Sequence, residues 1–252
     1  MPTMIRLFIA EETPAFAEGL RLTLNPDQGR YLAQVMRQRV GDEVLLFNGR
    51  DGEWKAALTD VGKKSVHLEI LTQTRQQPEV RGPVLAIALV KRSALEYIVE
   101  KATELGVKHI QLLTTYRTNI GHTNVERLVS IAKESAEQTE RLDIPGISTP
   151  VKLDNFLDRG AFDTLVFADE DSTHETSNRT IMPMLAALNA TPPGAQTVIL
   201  IGPEGGFSDE ERTRLRSLPK CQPVNLGPRI LRADTAAISA LTLYQAAVGD
   251  WR

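Results

Sequence analysis

The chain has 252 residues, of which 42% are hydrophobic and 24% charged, and its formal net charge is −3. That length allows one large domain or two small ones, and the apolar content suits a packed core and excludes a disordered chain. The negative balance argues against a generic polyanion binder. No apolar run approaches the roughly 20 residues that cross a bilayer, and Met1 to Ala10 lacks a secretory apolar segment, so a cytoplasmic protein without a membrane partner is expected.

Cysteine and histidine usage narrows the chemistry. Cys221 is the single cysteine, so no internal disulfide is possible, and it reads as a small buried apolar residue. His67, His109, His122 and His174 show no ligand spacing with one another or with Cys221, so no metal site is expected.

Residues 1 to 75 read as one domain. Ile5 to Ile9 alternates like a strand. Asn25 to Arg37 reads as a helix, with Asn25 as N-cap and Pro26 at the first helical position. After a Gly41-Asp42 turn, Glu43 to Phe47, Trp54 to Thr59 and Ser65 to Leu71 read as short strands. Such spacing predicts a small β-barrel with one helix. Its arginines, Arg6, Arg30, Arg37 and Arg39, have two readings: a balanced, solvated surface, or a cluster for phosphate contact.

Thr72 to Pro83 is polar, holds two prolines and is the best linker candidate. Beyond it, strands and helices alternate. Val84 to Val90 is an apolar strand of parallel-sheet type. Ser93 with Glu96 reads as a capping box opening a helix that ends at Gly106. His109 to Thr114 is the next strand, and Thr123 with Glu126 a second capping box, for a helix to about Arg141. Thr164 to Ala168 is a buried strand, and Asn178 to Asn189 is partly helical with a break at Pro183. Thr197 to Ile201, Val224 to Leu226 and a helix from about Thr235 to Val248 complete the set. The alternation predicts an α/β domain over 76–252, a parallel sheet flanked by helices.

Two loops carry the candidate chemistry. The first is Ile201-Gly202-Pro203-Glu204-Gly205-Gly206-Phe207, between a β-branched strand and Ser208-Asp209-Glu210-Glu211, a capping-box helix start. It is neither a dinucleotide fingerprint nor a P-loop. Alone it is either a turn that needs glycines for geometry or a loop where a ligand meets bare backbone. The second is Leu226-Gly227-Pro228-Arg229-Ile230-Leu231-Arg232, again a strand end with a Gly-Pro. Ligands of open α/β sheets bind at strand carboxyl ends, so the two loops can wall one pocket, with Ile230 and Leu231 facing a flat ring. The alternative is that Arg229 and Arg232 pair with Asp234 or with surface carboxylates. On the helix from Thr123, Arg127, Glu134, Gln138 and Arg141 share one face, which is either a solvent face or the border of a substrate cleft.

These loops together resemble the paired signature loops of the SPOUT methyltransferases. Within that superfamily the chain is similar to the bacterial 16S ribosomal RNA (uracil-N3)-methyltransferase family. Glu100 to Val107, Glu137-Gln138 with Arg141, and Leu32 to Arg37 followed by Gly41-Asp42 extend the likeness over essentially the whole chain. Two places depart from the family: Tyr31 stands where it usually has histidine, and Ala233-Asp234 where it usually has Thr-Glu.

The resemblance implies a trefoil-knotted α/β domain, an N-terminal PUA-like RNA-binding barrel and a homodimer. It implies S-adenosylmethionine (SAM) held by Leu200, Ile201, Gly202, Pro203, Glu204, Gly205 and Gly206 and by Leu226, Gly227, Ile230, Leu231 and Arg232. It implies a uridine of 16S rRNA in the small ribosomal subunit as substrate. Methyl transfer to uracil N3 needs a lost proton and stabilised charge on the flanking carbonyl oxygens. Arg232 suits that task, with Glu204 orienting it or helping proton removal. Arg6, Arg30, Arg37, Arg127, Gln138 and Arg141 are the expected RNA contacts. The competing classes are a SPOUT enzyme acting on transfer RNA, a non-catalytic RNA-binding relic, and an α/β oxidoreductase or hydrolase. Missing dinucleotide, P-loop and nucleophile-elbow motifs argue against the last.

Overall fold

A computed structural model describes residues 4–10, 12–62, 65–170, 181–192 and 194–251. The chain divides into two compact units, 1–80 with 136–144, and 81–135 with 145–252.

The first unit holds β1 (Arg6–Phe8), β2 (Arg21–Thr23), α1 (Pro26–Arg30), β3 (Glu43–Phe47), β4 (Glu53–Val61) and β5 (Val66–Arg75). They form a five-stranded sheet in the order β1-β3-β4-β5-β2. The β1–β3 pair is parallel and the other pairs antiparallel. Register shifts along β4 and β5 curl the sheet, because an extra residue on one strand tightens the local twist. Alternate residues such as Val44, Leu46, Leu58, Leu68 and Ile70 point into its core.

Asn25 caps α1 as expected, its Oδ1 accepting from the amides of Asp27 and Gln28. The helix does not run on to Arg37 in α form. Tyr31–Val35 widens into a π turn, the Met36 amide bonding back to the Tyr31 carbonyl at 2.9 Å, and Arg37 stops it at φ +55. The 136–144 segment returns to this unit, a return that the sequence does not announce, and packs Ala136 and Leu142 on Phe47.

The second unit is built on a seven-stranded sheet. Its strands are β6 (Val84–Ala88), β7 (His109–Thr114), β8 (Gly146–Lys152), β9 (Thr164–Ala168), β10 (Met182–Pro183), β11 (Thr197–Ile201) and β12 (Cys221–Asn225). All pairs are parallel, in the order β10-β12-β9-β11-β6-β7-β8. Every residue of β11 is buried, as a strand covered on both faces requires. Cys221 lies in the same core. The chain lays β6, β7 and β8 outward, returns past β6 to β9, and later inserts β11 between them.

The helices are α2 (Arg92–Glu104), α3 (Val125–Gln138), α4 (Leu153–Arg159), α5 (Met184–Asn189), α6 (Asp209–Ser217) and α7 (Ala233–Ala247). Gly106 closes α2 at φ +73, and Gln245 of α7 donates to the Leu105 carbonyl at 2.6 Å. Two expected caps are not formed. Lys91 stands at the N-cap of α2 without a side-chain bond, and Glu96 pairs with Arg92 at 2.8 Å instead of closing a box with Ser93. At α3, Asn124 accepts the Arg127 amide at 3.0 Å, so Asn124 and not Thr123 is the cap. The helix expected from Asn178 begins outside the described residues; its described part is β10 and α5, with Pro183 at the N-cap.

Candidate functional site

Three neighbouring parallel strands, β12, β9 and β11, end at Asn225, Ala168 and Ile201. Their carboxyl ends open on a cavity of about 380 Å³, walled by the loops that follow each strand. A crevice at strand carboxyl ends is where open parallel sheets bind ligands.

The loop after β11 is fixed by three contacts. The Gly206 amide closes a turn on the Pro203 carbonyl at 2.9 Å. Phe207 is buried and meets Phe167 edge-on, with ring centroids 5.1 Å apart. A Cβ on Gly202 would stand 2.6 Å from the Phe207 ring, so glycine is required there. Of the paired glycines only Gly206 has positive φ, at +68, and a Cβ on it would collide with the Glu170 carboxylate. Gly205 serves differently: it packs against Arg117, and its carbonyl accepts from the Arg117 guanidinium at 3.2 Å. It does not line the cavity. The capping box expected at Ser208 is formed in both directions with Glu211.

The loop after β12 forms the facing wall. Gly227 takes φ +109, and Ile230 is 79% exposed. Arg232 is the N-cap of α7, its side chain exposed, above Ala233 and Ala236. Asp234 accepts from the amide and hydroxyl of its neighbour Thr235 through Oδ1. Neither Arg229 nor Arg232 has an ion-pair partner among the described residues.

The third wall is Asp169 and Glu170 after β9, which no sequence motif marks. Asp169 is buried and bonds Arg212 at 2.6 Å and Arg216 at 2.6 Å. Arg212 also lies 3.5 Å from Glu170. Two guanidiniums thus offset Asp169, and the rest of the lining carries Glu170 and Glu204 together with Arg229 and Arg232. The available signal for this wall is position alone, at a strand end beside β11.

Ten of the expected cofactor residues line this cavity: Ile201 to Glu204, Gly206, Leu226, Gly227 and Ile230 to Arg232. Leu200 does not, because its side chain is fully buried in the core under the sheet. Glu204 is exposed and its Oε1 accepts from the Lys91 amide at 3.4 Å. Among the described residues no ion pair joins Glu204 to Arg232.

The expected RNA contacts separate. Arg6 is a correction: its side chain is 3% exposed, paired to Glu53 at 2.9 Å and donating to the carbonyls of Ala136, Glu137 and Arg141. It holds the returning segment and has no face left for a phosphate. Arg141 is also corrected. It lies beyond the end of α3, and its guanidinium grips Asp143 through two bonds of 3.1 and 2.7 Å. Arg30 is exposed and bonds Asp27 at 2.5 Å, while Arg37 and Gln138 are exposed. Arg127 stands on α3, 3.9 Å from Glu96 and about half exposed.

Residues 79–245 match the family described as RNA methyltransferase domain, and residues 24–71 the family described as RNA methyltransferase PUA domain. Among curated relatives, ribosomal RNA small subunit methyltransferase E of Rickettsia conorii is 32% identical over 226 residues, covering 89% of each chain. A methyltransferase of Legionella pneumophila, solved in complex with the bound cofactor SAM, is 32% identical with a TM-score of 0.80 over 98% of each chain. A ribosomal RNA small subunit methyltransferase E of Neisseria gonorrhoeae, bound to SAM, is 25% identical with a TM-score of 0.81, covering 99% of this chain and 100% of that one.

Proposed function

Because the chain belongs to the ribosomal RNA small subunit methyltransferase E family, we propose that it uses SAM to methylate N3 of a uridine in 16S rRNA. The observation that carries the reading is the cavity walled by two Gly-Pro loops at the ends of β11 and β12.

The cavity's chemistry fits SAM. Leu226, Ile230 and Leu231 offer apolar surface to a flat base, and the bare backbone around Gly202 and Gly227 offers amides and carbonyls to its edge. SAM carries both cationic and anionic groups at neutral pH, and the lining offers both Glu170 and Glu204 and Arg229 and Arg232. When bound, SAM supplies an electrophilic methyl group. The protein's task is to hold uracil N3 in line with it, positioning that can contribute roughly 7–11 kcal/mol.

Arg232 is proposed to stabilise the negative charge that reaches the uracil carbonyl oxygens as N3 loses its proton. Its guanidinium is unpaired among the described residues and stands at the cavity wall, so no internal ion pair must first be broken. Glu204 is proposed to assist proton removal. Orientation of Arg232 by Glu204 is not supported, since Glu204 leans toward the Lys91 amide.

Further parts of the reading are proposals of the same kind. Residues 1–75 act as a PUA-like RNA-binding barrel and 76–252 as a SPOUT domain with a C-terminal trefoil knot. The late insertion of β11 between β6 and β9 supports the knot. The protein acts as a cytoplasmic homodimer, with Arg30, Arg37, Arg127 and Gln138 as RNA contacts. No described helix is long and apolar enough to cross a membrane, and no group of metal-ligating residues occurs among the described residues.

The test is calorimetry with SAM followed by labelled-methyl transfer to small ribosomal subunits. Binding with incorporation at uridine N3 is expected. Folded protein without SAM affinity would reject the reading.

A further inference from the structure

A second cavity, of about 290 Å³, lies at the same edge of the seven-stranded sheet, beyond the ends of β6 and β7. Val90, Ile120 and Leu128 give it an apolar wall, and Arg92, Glu96 and Arg127 form a charged one. None of these residues belongs to the cavity assigned to SAM.

Its charges are arranged for an anion of one negative charge. Glu96 bonds Arg92 at 2.8 Å and lies 3.9 Å from Arg127, so one carboxylate sits between two guanidiniums at the cavity wall. Arg92 and Glu96 are one turn apart on α2 and so share a face. Arg127 is set on the first turn of α3 by the bond from its amide to Asn124. Two positive charges against one negative leave a single positive charge. That matches one phosphodiester of a nucleic acid backbone. Both arginine side chains keep solvent access, at 81% and 47% exposure, so a phosphate can reach them without unfolding the pair. The size, just under the roughly 300 Å³ at which small-molecule sites begin, suits one sugar or base beside that phosphate.

Position links it to the methyl-transfer site. Strand β6 pairs with β11, Ile87 opposite Ile201. The residues that follow, Lys91 and Glu204, touch through the 3.4 Å bond between amide and carboxylate. Val90 and Arg92, on either side of Lys91, line the second cavity, and Glu204 lines the first. At about 4.8 Å per strand spacing the two lie roughly 10–15 Å apart along one sheet edge. An RNA strand following that edge presents a base to the first cavity and a neighbouring phosphate to the second.

We propose that this second cavity is a nucleotide subsite: Arg92 and Arg127 bind a backbone phosphate next to the target uridine, and Val90, Ile120 and Leu128 take the adjoining sugar or base. The assignment rests on the RNA methyltransferase reading above. Positioning at a flanking nucleotide holds the target strand in register without touching the methyl donor.

The experiment compares wild type, Arg92→Ala, Arg127→Ala and Glu96→Gln for binding of in-vitro-transcribed small-subunit rRNA across a salt series, with SAM affinity measured beside it. Each arginine variant is expected to weaken RNA binding roughly fivefold or more, and to lower the salt slope by about 0.7, the share of one neutralised phosphate on a single strand. SAM affinity is expected to stay within about twofold, since charge screening limits effects at this distance. Glu96→Gln removes the competing negative charge, keeps a hydrogen-bond acceptor, and is expected to tighten RNA binding, a gain that a folding defect does not produce. RNA affinity and slope unchanged in both arginine variants, or weaker binding by Glu96→Gln, would overturn the proposal while SAM binding and methyl transfer by wild type stand. Wild type that binds neither SAM nor RNA would instead overturn the reading on which the proposal rests, and the proposal with it.

Discussion

The carboxylate of Glu211 accepts the Tyr116 amide at 2.7 Å through Oε1, while its Oε2 accepts the Ser208 amide at 2.9 Å. One side chain therefore closes the capping box of α6 and ties the turn after β7 to it. Arg117 in that turn reaches the Gly205 carbonyl, so the brace extends to the glycine loop. Glu211→Ala is expected to cost about 1–2 kcal/mol, the usual worth of an N-terminal cap. It is also expected to weaken SAM binding. Denaturant unfolding and calorimetry check the two effects, and Glu211→Gln should restore them only in part, since its amide keeps one acceptor oxygen for two backbone donors.

Asp169 bears a different load. Its side chain is fully buried, with two guanidiniums bonded to it. Asp169→Asn keeps the shape and removes the buried charge that both guanidiniums share, which is expected to cost about 3–5 kcal/mol in denaturant unfolding. A cost below about 1 kcal/mol would show that the cluster does not support the third wall of the cavity.

Arg232→Ala is expected to lower kcat on rRNA by about 10²–10³, the usual effect of removing one donor to a developing oxyanion. SAM affinity should change little if, as proposed, SAM is held by Leu226, Ile230 and Leu231 and by the backbone around Gly202 and Gly227. A fall in SAM affinity with unchanged kcat would assign Arg232 to cofactor binding instead.

Gly206→Ala combines positive φ with a collision against Glu170. The Glu170 carboxylate must swing aside, and SAM affinity is expected to fall more than stability does. Gly227→Ala meets no neighbour within 4 Å, so only its φ of +109 resists the change. That φ lies beyond the left-handed region open to alanine, so Gly227→Ala should be the more severe variant in the same calorimetric assay.

His109 gives a pH dependence. Burial holds its imidazole below its ordinary value of about 6.5, and its Nε2 lies 2.7 Å from the Ser148 hydroxyl. Folding therefore disfavours the proton. The stability from neutral His109 is complete above about pH 6.5 and is lost as pH falls below it. His109→Gln is expected to flatten unfolding free energy across that interval.

The parallel sheet and both glycine loops are legible in the sequence because they leave local signatures: apolar strand runs, a Gly-Pro stop at each loop and, at the first loop, a capping box. Ser208 and Glu211 are three residues apart and meet as expected. Thr123 and Glu126 have the same spacing, yet Asn124 takes the cap, since a hydrogen-bonding neighbour can win by a shift of one residue. Arg6 is not legible as a buried residue because its partner Glu53 is 47 residues away, and sequence does not say which arginine a fold buries. Strands Arg21–Thr23 and Gly146–Lys152 escape a sequence reading, the first for its length and the second for its half-exposed, mixed composition. Asp169 and Glu170 join the site through strand order alone, which no local pattern encodes.

The most direct test is mass spectrometry of 16S rRNA nucleosides from a strain lacking the gene. One N3-methyluridine is expected to be missing, restored by wild type but not by Arg232→Ala. An unchanged N3-methyluridine content in the deletion strain would contradict the proposed activity.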